Sequence, residues 1–125
     1  MITDEQLNEA LRVKARERGY ATCPAPIVIL IAQEVALAFG IDPAEITSDR
    51  KFTALSRARA VTCYIARKCT VLGYSEIGRA LKKDHSSVMS AVRRVAARRE
   101  RDQWTDSVCA VLVERFGAIE EKARQ

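Results

Sequence analysis

Histidine, proline, glycine and aromatic residues are all scarce in this 125-residue chain, and each shortage removes a class of protein from consideration. One histidine and four cysteines (Cys23, Cys63, Cys69 and Cys109), none in a C-x2-C pair, leave no Cys/His zinc set. No Ser-His-Asp set, paired carboxylates or metal cluster can be read, so neither catalysis nor a bound cofactor is expected. No G-x-x-x-x-G-K-S/T loop occurs, and the length is too short for an ATPase module. There is no apolar run of membrane-spanning length, no signal peptide and no lipidation motif, so a cytoplasmic chain is expected.

With three prolines and five glycines, long stretches run uninterrupted, and Ala, Leu, Arg and Glu dominate them. That composition predicts an all-α protein, and the length predicts one domain with at most one appended helix or arm. Hydrophobic residues make up 48% of the chain, enough for a core at this size. Cys63 and Cys69 fall inside an apolar helical stretch and read as buried reduced thiols. The net charge is +5 and very unevenly placed. From Arg50 to Arg101 there are 14 Lys/Arg against three acids, whereas both flanking segments are net negative. Positive charge confined to one segment is what a phosphate-contacting surface requires.

The helical segments follow from caps and periodicity. Thr3-Asp4-Glu5-Gln6 has the form of a capping box, opening a narrow, charged helix that ends at Gly19. Ala21 to Pro26 reads as a linker because its two prolines prevent a helix across them. Ile27 to Phe39 is strongly apolar and stops at Gly40; Asp42 and Pro43 then cap and start a one-turn helix. After a polar loop, Thr47 to Thr53, a helix is predicted from Ala54 to Val71. Its apolar face is Leu55, Ala58, Val61, Thr62, Ile65 and Cys69, with Arg57, Arg59, Arg67 and Lys68 largely elsewhere. Ser75 is expected to cap a short helix over Glu76–Leu81. Asp84 is expected to cap a long one reaching about Arg101, with Val88, Val92, Val95 and Arg99 inward and Met89 and Ala96 beside them. A last amphipathic helix, Gln103 to Phe116, carries Trp104, Val108, Val111, Leu112 and Phe116. The implied divisions are an N-terminal helix and linker over 1–24, a main helical domain over 25–117 and a tail over 118–125.

The run from Ile77 to Val95 has the form of a helix-turn-helix: a short apolar helix, a polar turn at Lys82-Lys83, and a helix opening with small hydrogen-bonding side chains. In such a unit the second helix enters the major groove and its first turn meets base edges. Here that turn holds His85, Ser86 and Ser87, which donate or accept hydrogen bonds and let the backbone approach closely. Free amide groups and the helix dipole favour phosphate at the same end. Arg93, Arg94, Arg98 and Arg99 follow where such a helix passes the DNA backbone.

At these residues the stretch from about Ile27 to Phe116 resembles the C-terminal DNA-binding domain of the bacterial replication initiator DnaA. Arg57-Ala58-Arg59-Ala60-Val61, Tyr74-Ser75-Glu76-Ile77-Gly78, Asp84-His85-Ser86-Ser87-Val88, Ala91 and Arg94-Val95 carry the likeness. The resemblance implies a Trp-repressor-like helical bundle containing the helix-turn-helix, with an extra N-terminal helix. It implies that Asp84, His85 and Ser86 read bases of a DnaA box, and that Arg50 and Lys51 sit where the family places a minor-groove arginine. Phosphate contacts would come from Ser87, Arg67 and Arg94, supported by Arg59; Ser75, Lys83, Ser90 and Arg93 are further candidates on the same surfaces. The chain departs from the family's pattern in a turn one residue shorter than common, in Ala60 where an amide often stands, and in Ser90 where a histidine can occur.

The function expected is sequence-specific binding of double-stranded DNA at DnaA-box-like sites, acting by occupancy in replication control or transcription regulation and so associated with the nucleoid. A second function class stays open. The terminal helices, Thr3–Arg18 and Trp104–Phe116, would dock onto a replication or transcription protein, with weak nonspecific DNA binding.

Overall fold

The computed structural model describes Gln6, residues 26–48 and residues 50–117. The expected N-terminal helix, apart from Gln6, most of the linker, and the tail lie outside the described residues. Within them the chain is all-α: α1 (Pro26–Phe39), a 3-10 turn (Pro43–Thr47), α2 (Thr53–Cys69), α3 (Tyr74–Leu81), α4 (His85–Arg99) and α5 (Gln103–Phe116). Helix α1 begins at Pro26, which the linker reading had excluded. A proline fits the first helical position, where its missing N–H has no intrahelical acceptor in any case.

Helix α1 buries Val28, Ile31, Ala32, Val35 and Ala36 against α2. It stops at Gly40, whose φ of 68° is left-handed. The Gly40 and Ile41 amides then donate back to Leu37 O and Ala36 O, at 3.2 and 2.9 Å. Asp42 Oδ1 accepts from the Ala44 amide at 3.0 Å and starts the 3-10 turn, which drives Ile46 into the core.

Helix α2 is the central element and packs against every other helix. Its expected apolar face is buried throughout, but so are Arg59, Cys63, Tyr64 and Ala66. The buried zone therefore wraps most of the helix. Thr62 is satisfied inside the core by donating its hydroxyl to Ala58 O at 2.9 Å. The helix ends at Cys69 rather than Val71. Thr70 turns to extended backbone, and both its amide and its hydroxyl donate to Ala66 O, at 3.1 and 2.6 Å.

Gly73, not Ser75, is the N-cap of α3. The Glu76 carboxylate accepts from the Gly73 amide at 3.2 Å, a reach of three residues that Ser75 does not offer it. Between α3 and α4, Lys82 adopts φ 59°, the left-handed region, and Lys83 N donates to Gly78 O at 2.8 Å. A Cβ on Gly78 would collide with the Lys83 carbonyl, so glycine is required there for space. Helix α4 seats Val88, Ala91 and Val95; Ala91 takes the inward place expected of Ala96, which is exposed.

Helix α5 is also rotated from expectation. Thr105, Cys109 and Leu112 face inward, whereas Trp104 and Val111 remain 50% and 63% exposed. Asp102 fixes the start by accepting from the Trp104 amide and the Thr105 hydroxyl, at 3.2 and 2.6 Å. The Trp104 ring meets Phe39 of α1 edge-on, with centroids 4.9 Å apart, instead of entering the core.

Two substitutions test the turn. Gly78→Ala should lower stability by about 1–3 kcal/mol, because backbone on both sides must move. Lys82→Gly should raise it by roughly 0.5–1 kcal/mol, the left-handed penalty less the entropy of glycine. Urea midpoints of the three proteins check both signs.

Candidate nucleic-acid interface

The first turn of α4 stands clear of the body, with Asp84, His85, Ser86 and Ser87 all exposed. Asp84 is the N-cap, and its Oδ1 accepts from the Ser87 amide at 2.7 Å. That bond, with a further one from the Ser87 hydroxyl, holds its carboxyl below the usual aspartate range; His85 and Lys83 add smaller pulls. Asp84 is thus a fixed anion at the tip of the helix, beside side chains that donate and accept.

An open groove of about 470 Å³ runs between the start of α2 and the outer face of α4. Ser56, Arg59 and Ala60 line one wall, and Ser86, Ser90 and Arg94 the other. Cys63 lies beneath, where burial pushes its thiol up to about 11 against the opposing pull of Lys83 and Arg94. The thiol is therefore neutral, and the charge of the groove comes from Lys83, Asp84, Arg59 and Arg94 around it. Arg93 is exposed on the outward side of α4 with Ser90 and Arg94. Asp84, His85, Ser86, Ser87, Ser90, Arg93, Arg94 and Lys83 thus share one region, as the sequence pattern implied.

The other expected residues divide. Arg50 and Lys51 are exposed in the segment before α2. Arg50 pairs with Glu45 at 2.9 Å, and its guanidinium lies 5.5 Å from the Phe52 ring centroid. Arg67 stacks on Tyr74 at 4.4 Å and donates to Leu72 O at 3.2 Å, which ties the end of α2 to the start of α3, beside exposed Ser75.

Arg59, expected to support a phosphate contact, is turned largely onto the protein. It is 7% exposed, and its fork donates to four backbone carbonyls, those of Glu45, Ile46, Ser48 and Arg50. Four of its five N–H donors are thus given to protein acceptors, while the side chain still lines the groove. Arg99 is likewise engaged, to Asp106 at 2.8 Å and to the Tyr64 hydroxyl at 3.0 Å, and it pins the end of α4 to α5 and α2.

Sequence reasoning missed Ser56, which has no motif around it, and Glu45, whose partner lies five residues on in an irregular segment. Among the described residues there is no group of three His, Cys, Asp or Glu able to hold a metal ion. No described helix is long and apolar enough to cross a membrane.

Residues 28–95 match the family model for the bacterial DnaA protein helix-turn-helix, which covers more than half of the chain. The chain is 33% identical over 113 residues to the chromosomal replication initiator protein DnaA of Sphingopyxis alaskensis. That alignment covers 90% of this chain and 23% of the relative. It is 38% identical over 80 residues to DnaA of Thermodesulfovibrio yellowstonii, covering 62% and 18% of the two chains. The chain thus spans about a fifth to a quarter of the length of these relatives. A crystal structure of a DNA replication initiation factor shares the fold, with a TM-score of 0.62 at 24% identity, over 89% of this chain and 35% of that one. The matched region is a helix-turn-helix, in agreement with a non-enzymatic binding domain.

The cap at Asp84 carries a pH signature. Because its folded-state carboxyl sits below the unfolded value near 4, its stabilisation is complete above that value and disappears as pH falls through the folded one. The stability difference between wild type and Asp84→Ala, read by urea unfolding from pH 7 to pH 2.5, should shrink below about pH 4. A constant difference would mean that Asp84 does not act through its charge.

Proposed function

The chain belongs to the bacterial DnaA helix-turn-helix family, and from that premise we propose that it reads double-stranded DNA at DnaA-box-like sites and acts by occupying them. The observation that carries this reading is the exposed first turn of α4, where Asp84, His85 and Ser86 flank a groove bordered by Lys83 and Arg94. In the major groove, Asp84 accepts from the amino group of cytosine or adenine, and His85 and Ser86 donate or accept as the base requires. Ser87, Ser90, Arg93, Arg94 and Lys83 take phosphates along the path of α4. Ser75, at the start of α3, and Arg67, at the end of α2, take the backbone on the other side. Arg50 and Lys51 enter the neighbouring minor groove, whose potential attracts cations. The biological setting is control of replication initiation or of transcription at such sites on the nucleoid.

A second role is supported by a separate observation. Trp104 and Val111 are large apolar side chains left exposed on α5, on a helix that takes no part in the reading groove. They suit docking to a replication or transcription protein, and that role is compatible with DNA reading.

Fluorescence anisotropy with a box duplex and a scrambled duplex of equal composition, across a salt series, tests the main reading. The box should be preferred by about a hundredfold or more, a threshold set below the roughly 10³–10⁷ typical of specific readers. His85→Ala should lose about 1–3 kcal/mol on the box and little on the scrambled duplex. Arg94→Ala should weaken both alike and reduce the salt slope by about one. Equal binding of both duplexes by wild type would sink sequence-specific reading.

A further inference from the structure

We propose that Arg59 is a positioning residue: it holds the segment carrying Arg50 and Lys51 at a set distance from the recognition helix and so determines minor-groove specificity. This inference rests on the reading of Arg50 and Lys51 as minor-groove contacts.

Ser48, Arg50, Lys51 and Phe52 belong to no helix or strand, so their carbonyls take donors from outside a repeating ladder. Arg59 supplies donors to two of them, Ser48 and Arg50, and ties them to the 3-10 turn through Glu45 and Ile46. Nε donates to Ile46 O at 2.8 Å, Nη1 to Arg50 O at 2.8 Å, and Nη2 to Glu45 O at 3.0 Å and to Ser48 O. The fork itself is rigidly mounted, because Arg59 follows Ala58 and lies one turn after Leu55, both fully buried on α2. A planar guanidinium with five fixed donors can bridge four carbonyls in this way; a lysine ammonium cannot.

Two features make this more than a structural clamp. Arg59 also lines the groove opposite Ser86 and Arg94, so a single side chain touches both the loop and the reading groove. In addition, the fork grips only backbone and leaves the charged side chains able to exchange partners. Arg50 is 68% exposed, held by the Glu45 carboxylate, and Lys51 is exposed. The backbone of the loop is fixed and its cations can be redirected, which is the state needed to deliver an arginine into a narrow groove.

The test separates the two grooves chemically. Replacing adenine by 2,6-diaminopurine at the A·T pairs flanking the box adds a minor-groove amino group and leaves the major-groove edge unchanged. Wild type should lose about tenfold in affinity on that duplex, the usual scale for one altered base pair. Arg59→Lys, assayed well below its melting temperature, should keep the box-over-scrambled preference that depends on His85 and lose the response to diaminopurine. In an Arg50→Ala/Lys51→Ala background, adding Arg59→Lys should change DNA affinity little further. A glycine inserted after Ser48 shifts Arg50 out of register while the buried guanidinium remains. It should give the same selective loss, and it serves as the readout if Arg59→Lys does not fold. Either variant keeping the full diaminopurine response would overturn the positioning role. Wild type indifferent to diaminopurine would instead overturn the minor-groove reading of the loop, and the inference with it.

Discussion

At the crossing of α3 and α4 the Lys83 carbonyl occupies the space that a side chain on Gly78 would need, and the arrangement of the reading surface follows from that close approach. The turn is short enough to force Lys82 into the left-handed region, and it delivers Asp84 directly to the start of α4 as its cap. With Asp84 fixed by the Ser87 amide, the next side chains, His85 and Ser86, point into solvent. Val88, Ala91 and Val95 then seat the rest of α4 in the core, where α2 is its main neighbour. A wider turn would let α4 roll, and the side chains that its first turn presents would change with it. The short turn is thus closed at the cost of a lysine in the left-handed region.

The positive charge of the central segment is divided between two tasks. Arg59, Arg67 and Arg99 are directed inward or along the body, onto loop carbonyls, the Tyr74 ring, and the Asp106 and Tyr64 side chains. Each joins elements that packing alone leaves loosely related: loop to α2, α2 to α3, and α4 to α5. Arg50, Lys51, Lys83, Arg93 and Arg94 are among the cations that stay exposed and available to an anionic partner. Arginine suits the first task because its planar fork satisfies several acceptors at once, which offsets the loss of hydration on burial.

The sequence made the fold legible wherever a backbone requirement has a short-range signature. Gly40, Asp42-Pro43 and Asp84 mark ends and caps that the structure reproduces, and α5 has the bounds that its pattern implied. Ser75 misled because serine is a common cap. The deciding relation was the three-residue reach from Gly73 to Glu76, which a glycine cap makes easy to overlook. Periodicity failed where both faces carry similar residues. Ala91 and Ala96 cannot be ranked by type, and the valines of α5 at 108, 111 and 113 point to three directions at once. The role of Arg59 was not legible, since its acceptors lie 9 to 14 residues earlier in an irregular segment with no period to reveal them. The cluster at the head of α4 was legible because all of its members follow one cap within a few residues.

Under the box reading proposed above, an aspartate at the tip of α4 bears on discrimination as much as on capping. Asp84 stays ionised under ordinary conditions because the Ser87 amide favours its charged form. Any DNA that approaches brings phosphates that repel this anion, while Lys83, Arg93 and Arg94 attract them irrespective of sequence. On a site offering an amino group opposite Asp84, a charge-assisted hydrogen bond offsets the repulsion. On other sites nothing does, and the anion acts against binding. Specificity then arises from a penalty on the wrong sequence as well as a gain on the right one. Short side chains at His85 and Ser86 strengthen that logic, since they have little rotamer freedom with which to evade a mismatch. A purely basic helix tip would bind DNA more tightly and distinguish its sequences less well.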